Sequence, residues 1–500
     1  VWACGEFAAR YCLRNPAQFE RILQSGRLEE GHDSERFTAR LNDLFADTAD
    51  EGELMQRLRK VRNEEMFCMT WRDLLGLAEL DETLLAASDL ADGLTDQALD
   101  WLHIDQCKQA AGTPRDEQGQ AQRLVVIGLG KLGGRELNFS SDIDLIFTFA
   151  NRGSTDGTRP ISNEAYFKLL AQRLIKVLNS TTADGFVFRV DMRLRPFGES
   201  GALATSFDAM ESYYQNHGRE WERYALIKAR VIAGDKTAGE ALLNSLQGFI
   251  YRRYLDYGAI ESLRKMKALI SREAARKSHG DNLKLGPGGI REIEFITQLF
   301  QLIYGGRDRH LRRSSLQPVL KYLWERELLP EHAVDDLEAA YRFLRQAENH
   351  VQMMDDRQIH VLPEKEQDRW RLAVSLGYKN WQVFYSDLEQ HRKRVNGHFQ
   401  QVFAAPQLEE DNASETQQAE LTSLWQTLTD ESQEQGEVLA EAGYQDPEAS
   451  FKTLRAFAQD RHILQLSEQG RRRLDQLMPL LLLAVSDYDD AEQVLQRLLN

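Results

Sequence analysis

Cysteine is scarce in this chain. Its four cysteines, Cys4, Cys12, Cys68 and Cys107, have neither metal-ligand spacing nor the density of a disulfide scaffold. They read as reduced thiols of a cytoplasmic protein. Proline is also rare: 11 in 500 residues, beside abundant Leu, Glu, Gln and Arg, which tilts the chain toward helix. Long apolar runs are missing. The longest near the C-terminus, Leu477–Val485, holds nine residues with Pro479 among them, too short to span a bilayer. No basic-then-apolar leader opens the sequence. Positive charge is in deficit, with a formal net charge of -16. That excludes non-specific nucleic-acid binding, which needs a basic surface, but leaves room for a local basic site. The deficit is deepest from Val395 to Phe451, where Lys and Arg are absent altogether.

What is present is periodicity, over a length that suggests about three or four domains. Residues 1–117 place apolar side chains three and four apart, as in "GELMQRLRKVRNEEMFCMTWRDLLGLAEL", and read as helices. A polar stretch bearing Gly and Pro, Ala111–Gln122, marks a boundary. Residues 118–235 are the only α/β part. Strand-like runs appear there at Leu124–Ile127, Ile143–Phe149 and Phe186–Leu194, and Phe167, Leu170, Leu174 and Leu178 form one helical face between the last two. Residues 236–403 return to a helical pattern. An acidic linker is expected over 404–420, then a helical segment over 421–500. The start at Val1 and the stop at Asn500 inside "AEQVLQRLLN" suggest a piece of a longer chain.

The stretch "VVIGLGKLGGRELNFSSDIDLIF", Val125–Phe147, carries two competing signals. Gly128, Gly130 and Gly133 spell a dinucleotide-binding turn. That fold needs a crossover of about a dozen residues or more before its next, parallel strand. Only seven, Arg135–Ser141, separate Gly134 from Asp142. A Walker loop fails too, since no G-K-[ST] follows. The second signal is stronger. In a strand, Asp142 and Asp144 share a face with Ile146 and Thr148, while Ile143, Leu145, Phe147 and Phe149 pack the other. Two carboxylates opening an apolar strand repel unless a cation lies between them, and Mg²⁺ takes a few carboxylates plus phosphate and water. The plainer alternative is a surface cap. In "FVFRVDMRLRPFGESG", alternation sets Arg189, Asp191, Arg193 and Arg195 on one face. Asp191 is then a third carboxylate beside guanidiniums suited to phosphate; the alternative there is a solvated strand with local ion pairs. Gly133 and Gly134 are expected to let backbone N–H groups approach a phosphate.

Gly-Gly, a short helix, then D-x-D on a strand with a later third Asp resembles the nucleotidyltransferase superfamily. "GLGKLGGRELNFSSDIDLIF", "DGFVFRVDMRLRPFGESG", "WERYALIKARVIAGD" and "LKLGPGGIREIEFITQLFQL" together resemble the family of bifunctional glutamine synthetase adenylyltransferase/adenylyl-removing enzymes over most of the chain. The resemblance implies an α+β nucleotidyltransferase core, a small mixed sheet with helices, flanked by helical domains. It implies a cytoplasmic transferase that removes AMP from a tyrosine of glutamine synthetase by phosphorolysis. One such core, without a second copy, resembles the N-terminal, adenylyl-removing half; the parent protein also adenylylates from ATP. Implied by motif are Asp142, Asp144 and Asp191 as ligands of two Mg²⁺ ions, Gly133 and Gly134 as phosphate contacts, and Arg193 and Arg195 as charge stabilisers. Implied partners are adenylylated glutamine synthetase, the uridylylated PII signal protein, ADP or ATP, and phosphate, with no nucleic acid and no membrane.

Further candidates are Ser140 and Ser141, as phosphate donors or as turn residues, and Lys228 with Trp221, Glu222, Arg223 and Arg230, as cleft lining or as helix packing. Glu292 lies on the apolar stripe of its helix with Phe295, Ile296 and Leu299, for a buried ion pair or for the cleft. Arg291, Glu294, Gln298 and Gln301 take the opposite, polar face. Rival functions are a nucleotidyltransferase for another protein, such as PII, and a catalytically silent nucleotide-binding scaffold. Intact D-x-D plus Asp191 argues against the scaffold.

Overall fold

The computed structural model describes residues 1–251, 281–403, 420–425, 428, 435–465, 468–486 and 491–499. The linker expected over 404–420 lies outside the described residues except for Glu420. Two compact units emerge, Val1–Phe403 and Ala404–Asn500.

In the first unit, helices run from Glu6 to Cys107, two of them started by aspartate caps. Asp33 accepts from the N–H groups of Glu35 and Arg36 to cap Ser34–Phe45, and Asp50 accepts from Glu53 to cap Glu51–Leu74. The long helix Leu80–Cys107 buries Leu84, Ala87, Ala91, Leu94, Ala98 and Leu102, three and four apart. That stripe packs on the sheet.

The main sheet has five strands and is mixed. β1 (Pro114–Asp116) and β4 (Gly153–Thr155) form a separate antiparallel pair. In the sheet, β2 (Leu124–Gly128) pairs antiparallel with β3 (Asp142–Phe149) on one side and with β7 (Arg230–Gly234) on the other. On its outer edge β3 carries two short parallel strands in succession, β5 (Arg189–Asp191) and β6 (Ala204–Ser206). The antiparallel β2–β3 pairing rules out the dinucleotide crossover, as the seven-residue spacing predicts. Alternation splits the core as expected. Ile143, Leu145, Phe147 and Phe149 pack with the Leu80–Cys107 and Asn163–Asn179 helices. Ile146, with Val125 and Ile127 of β2, packs on Met210, Tyr214 and Leu226.

The third strand is shorter than its sequence pattern. Pairing stops at Asp191, whose own carboxylate accepts from the Arg193 N–H (2.8 Å) and turns the chain. Phe197 then sits at φ 61°. Leu194 therefore joins the core on the opposite side of the sheet from Val190 and Met192.

After the sheet, helices Ile290–Tyr304, Leu316–Glu325, Glu331–Met353, Glu366–Ser375 and Trp381–Phe403 build a core of their own around Ile293, Leu320, Leu344 and Phe399. The chain is thus α+β and mostly helical. The second unit is helical where described, with Trp425, Leu454 and Leu482 in its core and the Tyr444 hydroxyl donating to the Leu482 carbonyl. Among the described residues, no helix is long and apolar enough to cross a membrane.

Candidate active site

The β2–β3 connection opens with one helical turn, Gly130–Gly133. Gly130 has φ +54°, and a Cβ there would lie 2.9 Å from Asp144 Oδ2. Glycine is what lets the turn rest against that carboxylate. Gly133 serves a different purpose from the one expected. Its N–H donates to the Leu129 carbonyl, that of Gly134 to Gly130, and a Cβ on Gly133 would lie 1.8 Å from the Lys228 carbonyl. Both N–H groups are spent inside the turn, and Gly134 lines a separate hollow with Asp81 and Arg135. Gly133 lets the turn close against Lys228. Gly133→Ala should accordingly lower the stability of the first unit by about 3 kcal/mol; an unchanged melting temperature would contradict this.

Asp142 and Asp144 point from the same face of β3, and Asp144 lies opposite Asp191 in the parallel register. Burial first, then the charges of Asp142 and Asp191, push the Asp144 carboxyl up to about 7. Burial also works against ionisation of Asp191, but the Arg193 guanidinium outweighs it and holds that carboxyl below its usual range. Arg193 Nε donates to Asp191 Oδ2 at 2.8 Å. Asp142 accepts from Gln358 (2.8 Å) and from Ser141 (3.4 Å). Among the described residues no three Asp, Glu, His or Cys side chains converge on one ion position. Asp142 and Asp144 are together, and Asp191 is one strand away in the grip of Arg193.

Two other candidates stand elsewhere. Arg195 donates to the carbonyls of Met192 (2.7 Å), Glu199 (2.9 Å) and Gly201, stapling its loop, because alternation ends with the strand at Asp191. Ser140 is buried; its hydroxyl donates to Asp356 (2.8 Å) and accepts from Arg189 (2.9 Å), leaving nothing for a phosphate.

A cleft of about 400 Å³ opens beside the aspartates. Gly130, Lys131, Ser141, Asp142 and Asp144 form its sheet side; Leu194, Trp221, Tyr224 and Lys228 a second wall; Lys284, Arg291, Glu294 and Gln298 a third. Trp221 and Lys228 are among its lining residues. Glu222, Arg223 and Arg230 are not: Glu222 accepts from Tyr213 and from the Arg219 N–H, Arg223 covers the Phe249 ring, and Arg230 pairs with Asp92. Glu292 also faces away from the cleft, accepting from the Gly288 N–H (3.0 Å) and from Asn396. Its neighbours Arg291, Glu294 and Gln298, three and four apart on the polar face of the same helix, are the ones that face in. Their spacing was visible in the sequence; the neighbour they face was not.

Beneath the cleft lies a buried set of charges. Lys131 pairs with Glu348 (2.8 Å), and Lys228 with Glu136 (2.9 Å) and Glu294 (3.3 Å). Arg345, fully buried, donates to Asn138 and to the Glu136 carbonyl. Burial alone would push the Glu294 carboxyl up, but Lys228, Lys284 and Lys131 hold it down at about 2. One polar stripe of the Glu331–Met353 helix grips the segment entering β3. Asn349 accepts from the Phe139 N–H (3.0 Å) and Gln352 from the Ser140 N–H (2.8 Å). The D-x-D strand is therefore held by a helix some 200 residues later in sequence.

Residues 1–245 match the Glutamate-ammonia ligase adenylyltransferase family, and residues 264–403 match the GlnD PII-uridylyltransferase family. Over 504 residues the chain is 52% identical to the bifunctional glutamine synthetase adenylyltransferase/adenylyl-removing enzyme of Thioalkalivibrio sulfidiphilus, covering 100% of this chain and 52% of that protein. The enzymes of the same name from Nitrosococcus oceani and Pseudomonas aeruginosa are 49% and 46% identical, each over 100% of this chain and 51% of theirs. The chain belongs to this family. It spans about half the length of the curated relatives it matches, so the family match extends from the first helices through the second unit while leaving the other half of those relatives unmatched.

Proposed function

We propose that residues 118–235 are a nucleotidyltransferase core, set between helical domains 1–117 and 236–403, that removes AMP from adenylylated glutamine synthetase by phosphorolysis. A phosphate oxygen attacks the AMP phosphorus, the bond from phosphorus to the tyrosine oxygen breaks, the phenolate takes a proton, and ADP leaves. The observation that carries this reading is the Asp142–Asp144 pair on β3, in parallel register with Asp191, at the mouth of a cleft walled by cations and by Trp221 and Tyr224.

Oxygen donors only, and a carboxyl raised to about 7 among like charges, fit a site for Mg²⁺, with two ions the number this chemistry takes. Asp142 and Asp144 would hold it, joined by Asp191 once Arg193 releases that carboxylate; the metal would supply positive charge on the phosphoryl oxygens. Arg193, with most of its side chain exposed, then becomes a guanidinium for the same anion. Lys228 fixes the cleft wall through Glu294, and Ser141 stays beside Asp142. The partners in this reading are adenylylated glutamine synthetase, phosphate, ADP or ATP, and uridylylated PII as regulator, in the cytoplasm. The uridylyltransferase match over 264–403 favours one second reading, transfer to PII itself.

The test is to mix the protein with adenylylated glutamine synthetase, Mg²⁺ and phosphate and to follow ADP. ADP release without AMP transfer from ATP to unmodified glutamine synthetase is the expected result. Robust adenylylation, or uridylylation of PII instead, would overturn it.

A further inference from the structure

Lys284 is supplied to the cleft by the segment between Asp281 and Gly289, outside the sheet and its connections. That segment is pinned on both sides of the lysine. Asn282 Oδ1 accepts from the N–H groups of Lys284 (2.9 Å) and Leu285 (2.7 Å). Leu283 is fully buried, and its N–H donates to the His360 carbonyl (2.7 Å), while the Asp281 carbonyl accepts from Leu362 (2.9 Å). The backbone thus fixes where the Lys284 stem starts, and the ammonium is the movable end.

Three cations in or beside the cleft differ from it in pairing. Lys131 is bound to Glu348, Lys228 to Glu136 and Glu294, and Arg193 to Asp191. Among the described residues, the Lys284 ammonium makes no hydrogen bond and no ion pair. It is nonetheless half-buried and close enough for its charge to pull down the Asp144 and Glu294 carboxyls. A cation held in a cleft with no hydrogen bond or ion pair of its own keeps its donors available to an entering anion.

We propose that Lys284 binds the incoming inorganic phosphate, an inference that rests on the phosphorolysis reading. Phosphorolysis differs from hydrolysis in bringing a second anion next to an AMP phosphorus already carrying negative charge. The aspartates face that phosphorus, so the attacking phosphate needs its compensating charge from another wall. Lys284 comes from outside the sheet and lines the cleft with Arg291, Glu294 and Gln298. A compact ammonium on a flexible stem suits an anion that must enter, turn to attack in line and become part of the product. Of the guanidiniums on the Asp191 side, Arg193 is committed to Asp191 and Arg195 to loop carbonyls.

The experiment compares wild type, Lys284→Met and Lys284→Arg on adenylylated glutamine synthetase across a range of phosphate concentrations, with Mg²⁺ present. Met keeps the stem and removes the charge; Arg keeps the charge. The expected result for Lys284→Met is a KM for phosphate raised at least about ten-fold, with kcat at saturating phosphate within about three-fold and the KM for glutamine synthetase unchanged. Lys284→Arg should recover most of the loss. A second readout needs no turnover: phosphate should raise the melting temperature of wild type, and less so that of Lys284→Met. If wild type forms no ADP, the phosphorolysis reading fails first. Wild-type turnover with an unaltered phosphate KM in Lys284→Met, or a fall confined to kcat, overturns the Lys284 assignment alone.

Discussion

Asp144→Asn is expected to lower ADP formation by at least about a thousand-fold, roughly 4 kcal/mol of transition-state stabilisation, while making the folded protein more stable at alkaline pH. The two effects share a cause. In the folded protein the Asp144 carboxyl is raised to about 7 by burial and by Asp142 and Asp191, against an unfolded value near ~3.9. The folded state therefore holds this proton more tightly than the unfolded state. Stability is fullest below pH ~4 and is lost as pH rises through about 7. Water reaching the open cleft reduces the loss to roughly 2 to 4 kcal/mol at pH 8. Asparagine keeps the shape and never ionises, so the variant should melt higher than wild type at pH 8 and lose that advantage near pH 4. Mg²⁺ should close the gap by stabilising wild type only. Thermal melts from pH 4 to 8, with and without Mg²⁺, beside the ADP assay, check all three. Near-normal turnover in a folded Asp144→Asn protein would remove Asp144 from the machinery. A variant less stable than wild type at pH 8 would show the carboxylate to be a structural cap.

How far the site could be read from sequence depends on the range of the interaction that fixes each residue. Asp142 and Asp144 were legible because alternation along one strand decides which side chains share a face, and β3 stays regular from Asp142 to Phe149. The rejection of a dinucleotide fold was legible because chain length limits a crossover. Alternation does not reach Arg195 because Asp191 accepts from a backbone N–H two residues on and ends the strand, a local competition that residue parity does not register. At Gly133 the local constraint is the carbonyl of Lys228, which no local motif places there. Glu292 and Ser140 were candidates by motif proximity, yet both are consumed by packing contacts with Asn396 and Asp356. Arg291, Glu294 and Lys284 come from a part of the chain that meets the sheet only through tertiary folding. The helix face of Arg291 and Glu294 is legible in the sequence; its destination, and the part Lys284 takes, are not.

Glu348→Gln is expected to be the most destabilising of the conservative changes near the site, at about 3 to 5 kcal/mol. Glu348 is fully buried and accepts from Lys131 (2.8 Å), Asn138 and His360. Burial alone would raise its carboxyl, but Lys131 first, then His360 and Arg345, hold it well below the usual range. Removing the charge leaves Lys131 buried without a counter-ion and forces an amide N–H₂ toward groups that already donate. The sign with pH is the reverse of that for Asp144. A depressed carboxyl contributes stability that is present above its unfolded value, near ~4.3, and lost as pH falls below it. The gap between variant and wild type should thus be widest at pH 6 to 8 and narrow toward pH 4. Lys131→Met combined with Glu348→Met should cost less than the two single losses summed, with a coupling of roughly 1 to 3 kcal/mol. The consequence reaches the chemistry, because Glu348 belongs to the stripe with Asn349 and Gln352 that holds Asn138–Ser140, the segment leading into Asp142. Turnover in Glu348→Gln should fall even where the protein remains folded. Melts across pH with the kinetic comparison decide it. A Glu348→Gln protein as stable as wild type at pH 7, or one whose deficit grows on acidification, would show that the buried charges beneath the cleft do not hold the aspartate strand in place.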